Sequence, residues 1–225
     1  MKHAPIEAFV FDAYGTLFDL RALTHACETL WSDKGAAVAD LWRRKQLEYT
    51  WLRTIMGKYE PFSAVTAAAL RFSAAANGVE LSDDASAQLL GVYRVLPLYP
   101  EVRTTLFALK ASGRKLAVLS NGSPDMLEPL VTHGGIAGEL ECVLSVDALA
   151  AFKPAPAVYH FASGSLAVDL SRIGFVSSNG WDIAGAHAAG LTCFWVNRAQ
   201  LPAEGLGAEP KAVLQSLDEL LRFAR

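Results

Sequence analysis

The chain has 225 residues, and its 20 basic and 23 acidic side chains give a net charge of −3. Hydrophobic residues make up 52% and charged residues 19% of the sequence, a balance that excludes a disordered chain and allows a sizeable core. A charge this small gives no electrostatic reason to expect nucleic acid or an anionic membrane as a partner. The N-terminal stretch lacks a signal-peptide pattern, and no stretch reaches the roughly 18 apolar residues that span a bilayer. We therefore expect a cytoplasmic protein.

The first predicted element is a buried strand at 8–11, which ends at Asp12. From about 19 to 97 no convincing strand follows, but three helical patterns do, at 38–56, 64–77 and 83–95. Ser63 and Ser82 are possible N-caps of the second and third helices.

The first of these helices has apolar residues that are compatible with one face: Val38, Leu41, Trp42, Tyr49, Leu52 and Met56. Pro97 and Pro100 end the helical segment. We predict an all-helical cap at 19–97, inserted into an α/β core that is formed by 1–18 and 98–225.

From residue 100 onward helical patterns alternate with short, continuously apolar runs. The helices are predicted at 101–111, after Ser123-Pro124, and at 213–223, and the strands at 115–120, 142–146, 173–178 and 193–197. Strands that alternate with helices form a doubly wound, Rossmann-like parallel sheet.

Polar residues that could take part in a reaction or bind a ligand follow several of these strands. Asp12 ends the first strand, Ser120 and Asn121 end the second, and a later strand is followed by Ser177, Ser178, Asn179 and Asp182. Lys153 lies in a loop between them. Ligands of open parallel sheets bind at the carboxyl ends of the strands, so we expect these side chains to share one site. Each has an ordinary explanation as a turn or cap residue, but the ordered set is harder to explain in that way.

At these residues the sequence resembles the haloacid dehalogenase (HAD) superfamily over essentially its whole length. The matching motifs are, in order, Asp12-x-Tyr14-Gly15-Thr16-Leu17, Ser120-Asn121, Lys153-Pro154 and the final acidic loop. The resemblance implies the HAD fold with an aspartate nucleophile at position 12.

The sequence departs from the phosphatases, which form most of this superfamily, at two positions. Tyr14 stands where they have a second aspartate, and Ser178 stands where one of two magnesium-holding carboxylates would be, which leaves only Asp182. Losing both groups argues against phosphoryl transfer. These departures resemble the L-2-haloacid dehalogenase branch, as do the stretches 41–51 and 177–182.

The stretch 41–51 also has a physical interpretation of its own. Arg43, Leu47, Thr50 and Trp51 have the spacing of one helical stripe. A cation flanked by apolar groups could hold a departing halide over a small hydrophobic substrate. The alternative is an arginine whose stem simply packs on the helix.

The resemblance implies cofactor-independent hydrolysis of small L-2-haloalkanoic acids to D-2-hydroxy acids, with an aspartyl ester on Asp12. It implies a homodimer, no metal ligand, and as binding partners only the 2-haloacid and the halide ion. The implied catalytic residues are Asp12, Thr16, Arg43, Ser120, Lys153, Tyr159, Ser177, Asn179 and Asp182. The implied substrate-binding residues are Asp12, Ala13, Tyr14, Arg43, Leu47, Phe62, Ser120, Asn121 and Trp181.

Within this set Asp12 would attack, and Arg43 with Asn121 would hold the halide. Lys153 would keep Asp12 charged, and Asp182 would activate the hydrolytic water. Further roles are implied for three groups of residues: Thr16 orienting Asp12; Ser120 and backbone N–H groups near Tyr14 binding the substrate carboxylate; and Tyr14, Leu47, Phe62 and Trp181 forming an apolar wall.

Two other functions stay open. One is a magnesium-dependent phosphatase, against which Tyr14 and Ser178 argue. The other is a non-catalytic binding protein on the same fold. The joint presence of Asp12, Arg43, Lys153 and Asp182 argues against it, because buried unpaired charges are costly.

Overall fold

A single parallel sheet of six strands forms the centre of the computed structural model, which describes residues 5–224. The strands lie in the order β3-β2-β1-β4-β5-β6. Their bounds are Ala8–Phe11 (β1), Lys115–Ser120 (β2), Cys142–Ser145 (β3), Ile173–Ser177 (β4), Thr192–Val196 (β5) and Ala212–Leu214 (β6). This arrangement confirms the predicted doubly wound α/β fold.

In the part of the chain that the structure describes, eight α-helices accompany the sheet. The first four follow β1 in the chain: Arg21–Leu30 (α1), Gly35–Met56 (α2), Phe62–Ala76 (α3) and Asp83–Val92 (α4). The other four alternate with the strands: Val102–Ala111 (α5), Pro124–Gly134 (α6), Pro156–Leu166 (α7) and Gly180–Ala188 (α8). Within residues 5–224 no helix is both long and apolar enough to cross a membrane.

The central position of β1 determines where the site forms. All four of its residues are buried, and Phe11 pairs with Val118 of β2 on one side and with Val176 of β4 on the other. The chain order therefore reverses at β1, and such a switch point leaves a crevice at the carboxyl ends of the strands. Asp12 is the first residue beyond that end.

The two places where the chain passes between the sheet and helices α1–α4 lie side by side. Phe18 and Leu98 form an antiparallel bridge, the N–H of Asp19 donates to the Pro97 carbonyl at 2.8 Å, and the N–H of Tyr99 donates to the Leu17 carbonyl at 3.0 Å. Between these crossings α2 packs against both α1 and α3.

The predicted C-terminal helix at 213–223 is wrong in its first part. Ala212–Leu214 is instead the edge strand β6, which pairs with β5, and only Leu217–Phe223 is helical, as a 3-10 helix. Leu214 and Leu217 are both buried, whereas Val213 is half exposed. A three-residue strand beside a helix produces apolar spacing that resembles one longer helix.

The prediction for the helices within 19–97 also differs from the structure at two points. Helix α1, in which only Leu23 and Cys27 are fully buried, was not predicted. Helix α3 begins at Phe62 with Pro61 before it, so Ser63 is not its cap. The prediction for α4 is confirmed at its start, since the Ser82 hydroxyl accepts from the Ala85 N–H at 3.2 Å.

The buried side of α2 differs from the predicted apolar face. It runs through Val38, Trp42, Gln46 and Thr50, which are spaced four residues apart, as neighbours on one side of a helix are. Leu52 and Met56, predicted to pack, are 43% and 60% exposed. The prediction was wrong because it used apolar residues alone, whereas the buried side of α2 includes the polar residues Gln46 and Thr50.

Candidate active site

The carboxyl ends of three neighbouring strands supply the centre of the site. Asp12 follows β1, Ser120 ends β2 and Ser177 ends β4. Helix α8 begins directly after the β4 loop and contributes Asp182 from its first turn. The loop before α7 contributes Lys153, whose side chain is 1% exposed.

The Asp12 carboxylate is held by three donors. Its Oδ2 accepts from the Asn179 amide at 2.9 Å and lies 3.2 Å from the Thr16 hydroxyl. Its Oδ1 accepts from the Lys153 ammonium at 3.1 Å. Since a carboxylate oxygen has two lone-pair sites, Oδ2 is filled and Oδ1 retains one position.

Lys153 connects Asp12 to a second carboxylate. Its Nζ lies 2.9 Å from Oδ2 of Asp182 and 5.0 Å from the centre of the Phe175 ring. Burial alone would lower the pKa of Lys153, but the charges of Asp12 and Asp182 outweigh that effect and raise it. The lysine is therefore a permanent buried cation at neutral pH.

Asp182 is fully buried and receives a second hydrogen bond. The Tyr159 hydroxyl donates to its Oδ1 at 2.8 Å. Burial raises the pKa of Asp182, and the Lys153 ammonium opposes the rise. The pKa of Tyr159 is raised too, first by burial and then by the charge of Asp182. Tyr159 therefore acts only as a neutral donor.

The loop after β4 is fastened to the loop after β1. The N–H of Ser178 donates to the Thr16 hydroxyl at 2.8 Å, and the N–H of Asn179 donates to the Ser177 hydroxyl at 3.1 Å. These bonds orient Asn179 toward Asp12. Ser178, at the position where a magnesium ligand would be expected, contacts Thr16 through its hydroxyl at 3.2 Å.

Ser120 and Asn121 lie beside the same centre. The buried Ser120 hydroxyl accepts from the Gly122 N–H at 3.1 Å, so its own proton is left for another acceptor. Asn121 Oδ1 accepts from the Lys153 backbone N–H at 2.9 Å. That bond fixes the amide so that Nδ2 is the donor left for a ligand.

Arg43 reaches the site from α2. Its side chain is half-buried, and Nη1 donates to Gln46 Oε1 at 2.8 Å. The pKa of Tyr14 is raised by burial and by Tyr93, lowered by Arg43 and raised by Asp12. The Tyr14 hydroxyl therefore lies within electrostatic reach of both the guanidinium and the carboxylate. It is buried and has no hydrogen-bond partner among the described residues.

The predicted apolar wall is brought together only in part. The rings of Tyr14 and Phe62 stack with centres 5.9 Å apart. Trp181 instead meets Trp51 edge-on at 5.6 Å, and both tryptophans line a largely apolar cavity of about 610 Å³ that Lys153 also borders. Ala13 is buried in the turn after β1, and Leu47 is half-buried on α2.

Sequence reasoning missed three residues around this site. Gln46 is fully buried between Arg43 and α3. Gly185 of α8 leaves room for Tyr159, since a Cβ there would lie 2.5 Å from the tyrosine oxygen. Arg198 bonds the Thr16 carbonyl at 3.1 Å. Helical spacing from Arg43 could have found Gln46, but no sequence signal links Arg198 to residue 16.

The comparisons with known proteins agree with this geometry. Residues 6–190 match the model of a hydrolase family described as haloacid dehalogenase-like hydrolase. The haloacetate dehalogenase H-2 of Moraxella sp. (strain B) is 39% identical over 97% of both chains. The (S)-2-haloacid dehalogenase of Pseudomonas sp. (strain YL) is 40% identical over 94% of this chain and 91% of its own.

A solved structure is similar over the same length. The L-2-haloacid dehalogenase of Xanthobacter autotrophicus with chloropropionic acid covalently bound superimposes with a TM-score of 0.92 at 35% identity, covering 98% of each chain. The family match, the identities and the strand-end carboxylates agree, and the chain belongs to the haloacid dehalogenase-like hydrolase family.

Proposed function

We propose that this enzyme hydrolyses small L-2-haloalkanoic acids to D-2-hydroxy acids without a cofactor. The observation that carries the proposal is the Asp12 carboxylate, buried at the switch point of the sheet with Oδ2 filled and Oδ1 only partly used. The names of the relatives, which are dehalogenases of haloacetate and of (S)-2-haloacids, support the same reaction.

In the first step Asp12 Oδ1 attacks C2 of the substrate from the side opposite the halogen. A C–O bond forms, the carbon–halogen bond breaks, and its electron pair leaves with the halide. Backside displacement inverts C2, so an L substrate leads to a D product. Thr16 and Asn179 hold the other carboxylate oxygen and thereby aim Oδ1.

In the second step water opens the ester at the carbonyl carbon of Asp12. Asp182 takes the proton of the attacking water, and the Lys153 ammonium stabilises the oxyanion that develops. The bond between this carbonyl carbon and Oδ1 then breaks, and Oδ1 leaves as the hydroxyl oxygen of the 2-hydroxy acid after taking the proton held by Asp182. The Asp12 carboxyl now carries an oxygen atom from water, and it returns to the carboxylate by releasing its proton to solvent. Tyr159, through its bond to Asp182, holds this base in place.

The substrate and the leaving group have separate binding groups. The Ser120 hydroxyl, together with backbone N–H groups near Tyr14, binds the substrate carboxylate. Arg43 and the Nδ2 group of Asn121 hold the departing halide. A halide leaves as an anion and needs no proton, so a fixed cation and amide donors in a water-poor site suffice.

The decisive experiment measures halide release from each enantiomer of 2-chloropropionate, with and without EDTA. We expect chloride from the L enantiomer only, at the same rate in both conditions. Activity that disappears in EDTA and returns with magnesium would contradict a cofactor-independent reaction. Phosphate release from small phosphate esters, measured in parallel, tests the phosphatase alternative.

The covalent step has its own test. A single turnover in oxygen-18 water should place the label in the Asp12 carboxylate, because water attacks the ester carbonyl. Mass spectrometry of the peptide that contains Asp12 detects it. Label found directly in the hydroxy acid would mean that water attacks C2 and that no ester forms.

We also propose a cytoplasmic homodimer. Cys27, Cys142 and Cys193 are free thiols, as a reducing compartment maintains. On α2, Ile55 and Met56 are 81% and 60% exposed, and apolar groups of this kind are typical of contacts between subunits. Light scattering of the purified chain, with M56E as the interface variant, measures the subunit number.

A further inference from the structure

Gln46 is a buried amide whose every polar atom has a partner. Its side chain is fully withdrawn from solvent. Oε1 lies 2.8 Å from Arg43 Nη1 and 3.3 Å from the Tyr93 hydroxyl, and Nε2 lies 2.7 Å from the Thr66 hydroxyl. The proposed reaction assigns this residue no role.

The chemistry of the partners fixes the direction of every bond in this group. A guanidinium has no acceptor, so the atom that faces Arg43 must be the amide oxygen, and Tyr93 must donate to that same oxygen. Nε2 then donates to Thr66, whose own proton goes to the Phe62 carbonyl at 2.6 Å. The arginine is thus joined to the backbone of α3 through two fixed side chains.

Within residues 5–224, Gln46 is the one hydrogen-bond partner of the Arg43 guanidinium, and it fixes the orientation of that group. Arg43 is half-buried, and the salt bridges formed by residues 5–224 do not include it. A long arginine side chain keeps many rotamers unless an acceptor selects one. Gln46 supplies that acceptor from one turn further along the same helix.

The acceptor is also neutral. A carboxylate at position 46 would form an ion pair with Arg43 and would compete with an arriving or departing anion. The amide oxygen orients the guanidinium and leaves its full positive charge for a ligand. Resting on the proposed function, we infer that Gln46 is a positioning residue that aims the Arg43 guanidinium at the departing halide.

The inference predicts a change that depends on the leaving group. Chloride leaves less readily than bromide, so displacement of chloride depends more on an aimed cation. In Q46M the side chain keeps its length and loses the acceptor. We expect kcat/KM for L-2-chloropropionate to fall by about ten- to a hundredfold, the range that loss of a charge-assisted hydrogen bond produces. The value for L-2-bromopropionate should fall less, so the bromo-to-chloro ratio rises.

T66V tests the same connection from its other end. It removes the acceptor of Gln46 Nε2 without touching Arg43, and the ratio should rise in the same direction by a smaller factor. T50V is the matched control, since Thr50 is buried on the same face of α2 and its hydroxyl donates only within the helix, to the Leu47 carbonyl at 2.6 Å. Its ratio should equal that of the wild type.

The possible results separate the two proposals. A wild-type enzyme that releases no halide overturns the proposed function and this inference with it. An active wild-type enzyme whose ratio is unchanged in T66V, and in Q46M where that variant folds, overturns the inference alone. A ratio that rises equally in T50V would show general loosening of α2 and would also overturn it.

Discussion

The ammonium of Lys153 lies 3.1 Å from the Asp12 carboxylate, and both side chains are almost completely withdrawn from solvent. The same ammonium is 2.9 Å from Asp182. One buried cation therefore serves two carboxylates, and the group carries a net charge of −1 when all three are ionised. The ammonium therefore compensates part of the negative charge that the two carboxylates place in a site with little water.

Replacing Lys153 should disable the enzyme and destabilise it in a pH-dependent way. In K153M the buried Asp182 would lie beside Asp12 without a cation, so its pKa in the folded state, which burial already raises, would rise further above the unfolded-state value. Stability is then retained at low pH and lost as pH rises through the raised folded-state value. We expect a loss of about 3–5 kcal/mol near pH 8 and less at pH 5.

Urea unfolding at both pH values, together with halide release, measures these effects. K211M is the control, because Lys211 is exposed and forms none of the salt bridges of the described residues. A K153M protein that is equally destabilised at pH 5 and pH 8 would contradict the charge argument.

The pH dependence of turnover should reflect Asp182. This residue can accept a proton from water only when it is ionised, and burial raises its pKa above the ordinary 3.8. Turnover should therefore decline on the acid side at a pH higher than an exposed aspartate would produce. A series of kcat values from pH 4 to pH 8, with folding monitored by fluorescence, measures it. A flat profile down to pH 4 would remove Asp182 from the role of base.

Removing the Tyr159 hydroxyl should move the acid limb of the pH profile, where kcat declines toward low pH, to higher pH. The hydroxyl bond at 2.8 Å stabilises the ionised form of Asp182 and so lowers its pKa. In Y159F the pKa of Asp182 rises, and the acid limb of kcat should shift by about one pH unit toward neutrality. Y49F, which alters a half-buried tyrosine outside the site, should leave the profile in place. A Y159F enzyme with reduced kcat and an unmoved acid limb would indicate a packing role only.

The fold could be predicted to the extent that its signals are local. The apolar runs of β1, β2 and β4 are continuous because both faces of a central parallel strand are buried, and each of these runs ends at a polar site residue. By contrast β6 is an edge strand of three residues, and α1 buries only two side chains. The strand is too short to show a periodic pattern. The apolar residues of α1 do recur at helical spacing, but over ten residues only, and the prediction did not include this helix.

The residues of the candidate site also differ in whether a local sequence signal identifies them. Asp12, Lys153 and Asp182 could be predicted because they lie at strand ends and in motifs that resemble a known family. Gln46 could have been found only through its helical spacing from Arg43. Arg198 could not, because its importance comes from contacts across the fold. Arg198 meets Glu101 and the carbonyl of Thr16, which are 97 and 182 residues away in sequence. Only the packed structure brings such groups together.

The close packing of Gly185 against Tyr159 should make a side chain at position 185 harmful to both stability and turnover. A Cβ at Gly185 would lie 2.5 Å from both the Tyr159 oxygen and Pro154 Cβ, so G185A must displace the tyrosine from Asp182. We expect destabilisation of about 1–3 kcal/mol and a large loss of turnover. G164A in α7, where a Cβ would meet nothing within 4 Å, should instead stabilise the helix by up to about 1 kcal/mol. Thermal unfolding and halide release of both variants measure the contrast, and a G185A enzyme as active as G164A would contradict it.

Arg198 holds the backbone of the loop that carries Asp12. Its Nη2 donates to the Thr16 carbonyl at 3.1 Å and to Glu101 at 2.6 Å, and its guanidinium stacks 3.8 Å from the centre of the Tyr99 ring. Both chain crossings between the sheet and helices α1–α4 are therefore tied to one planar cation. A lysine ammonium is a point donor without a flat face and cannot make these contacts together.

R198K should consequently behave much like R198M, with about 2 kcal/mol lost from the free energy of unfolding and faster hydrogen exchange at residues 13–19. R222M is the control, because Arg222 forms a similar pair with Glu219 at 3.4 Å but is 54% exposed, and exposed pairs contribute at most about 1 kcal/mol. If R198K retained wild-type stability and exchange, charge alone would suffice at this position, and the planar contacts to Thr16 and Tyr99 would have no role in fixing the Asp12 loop.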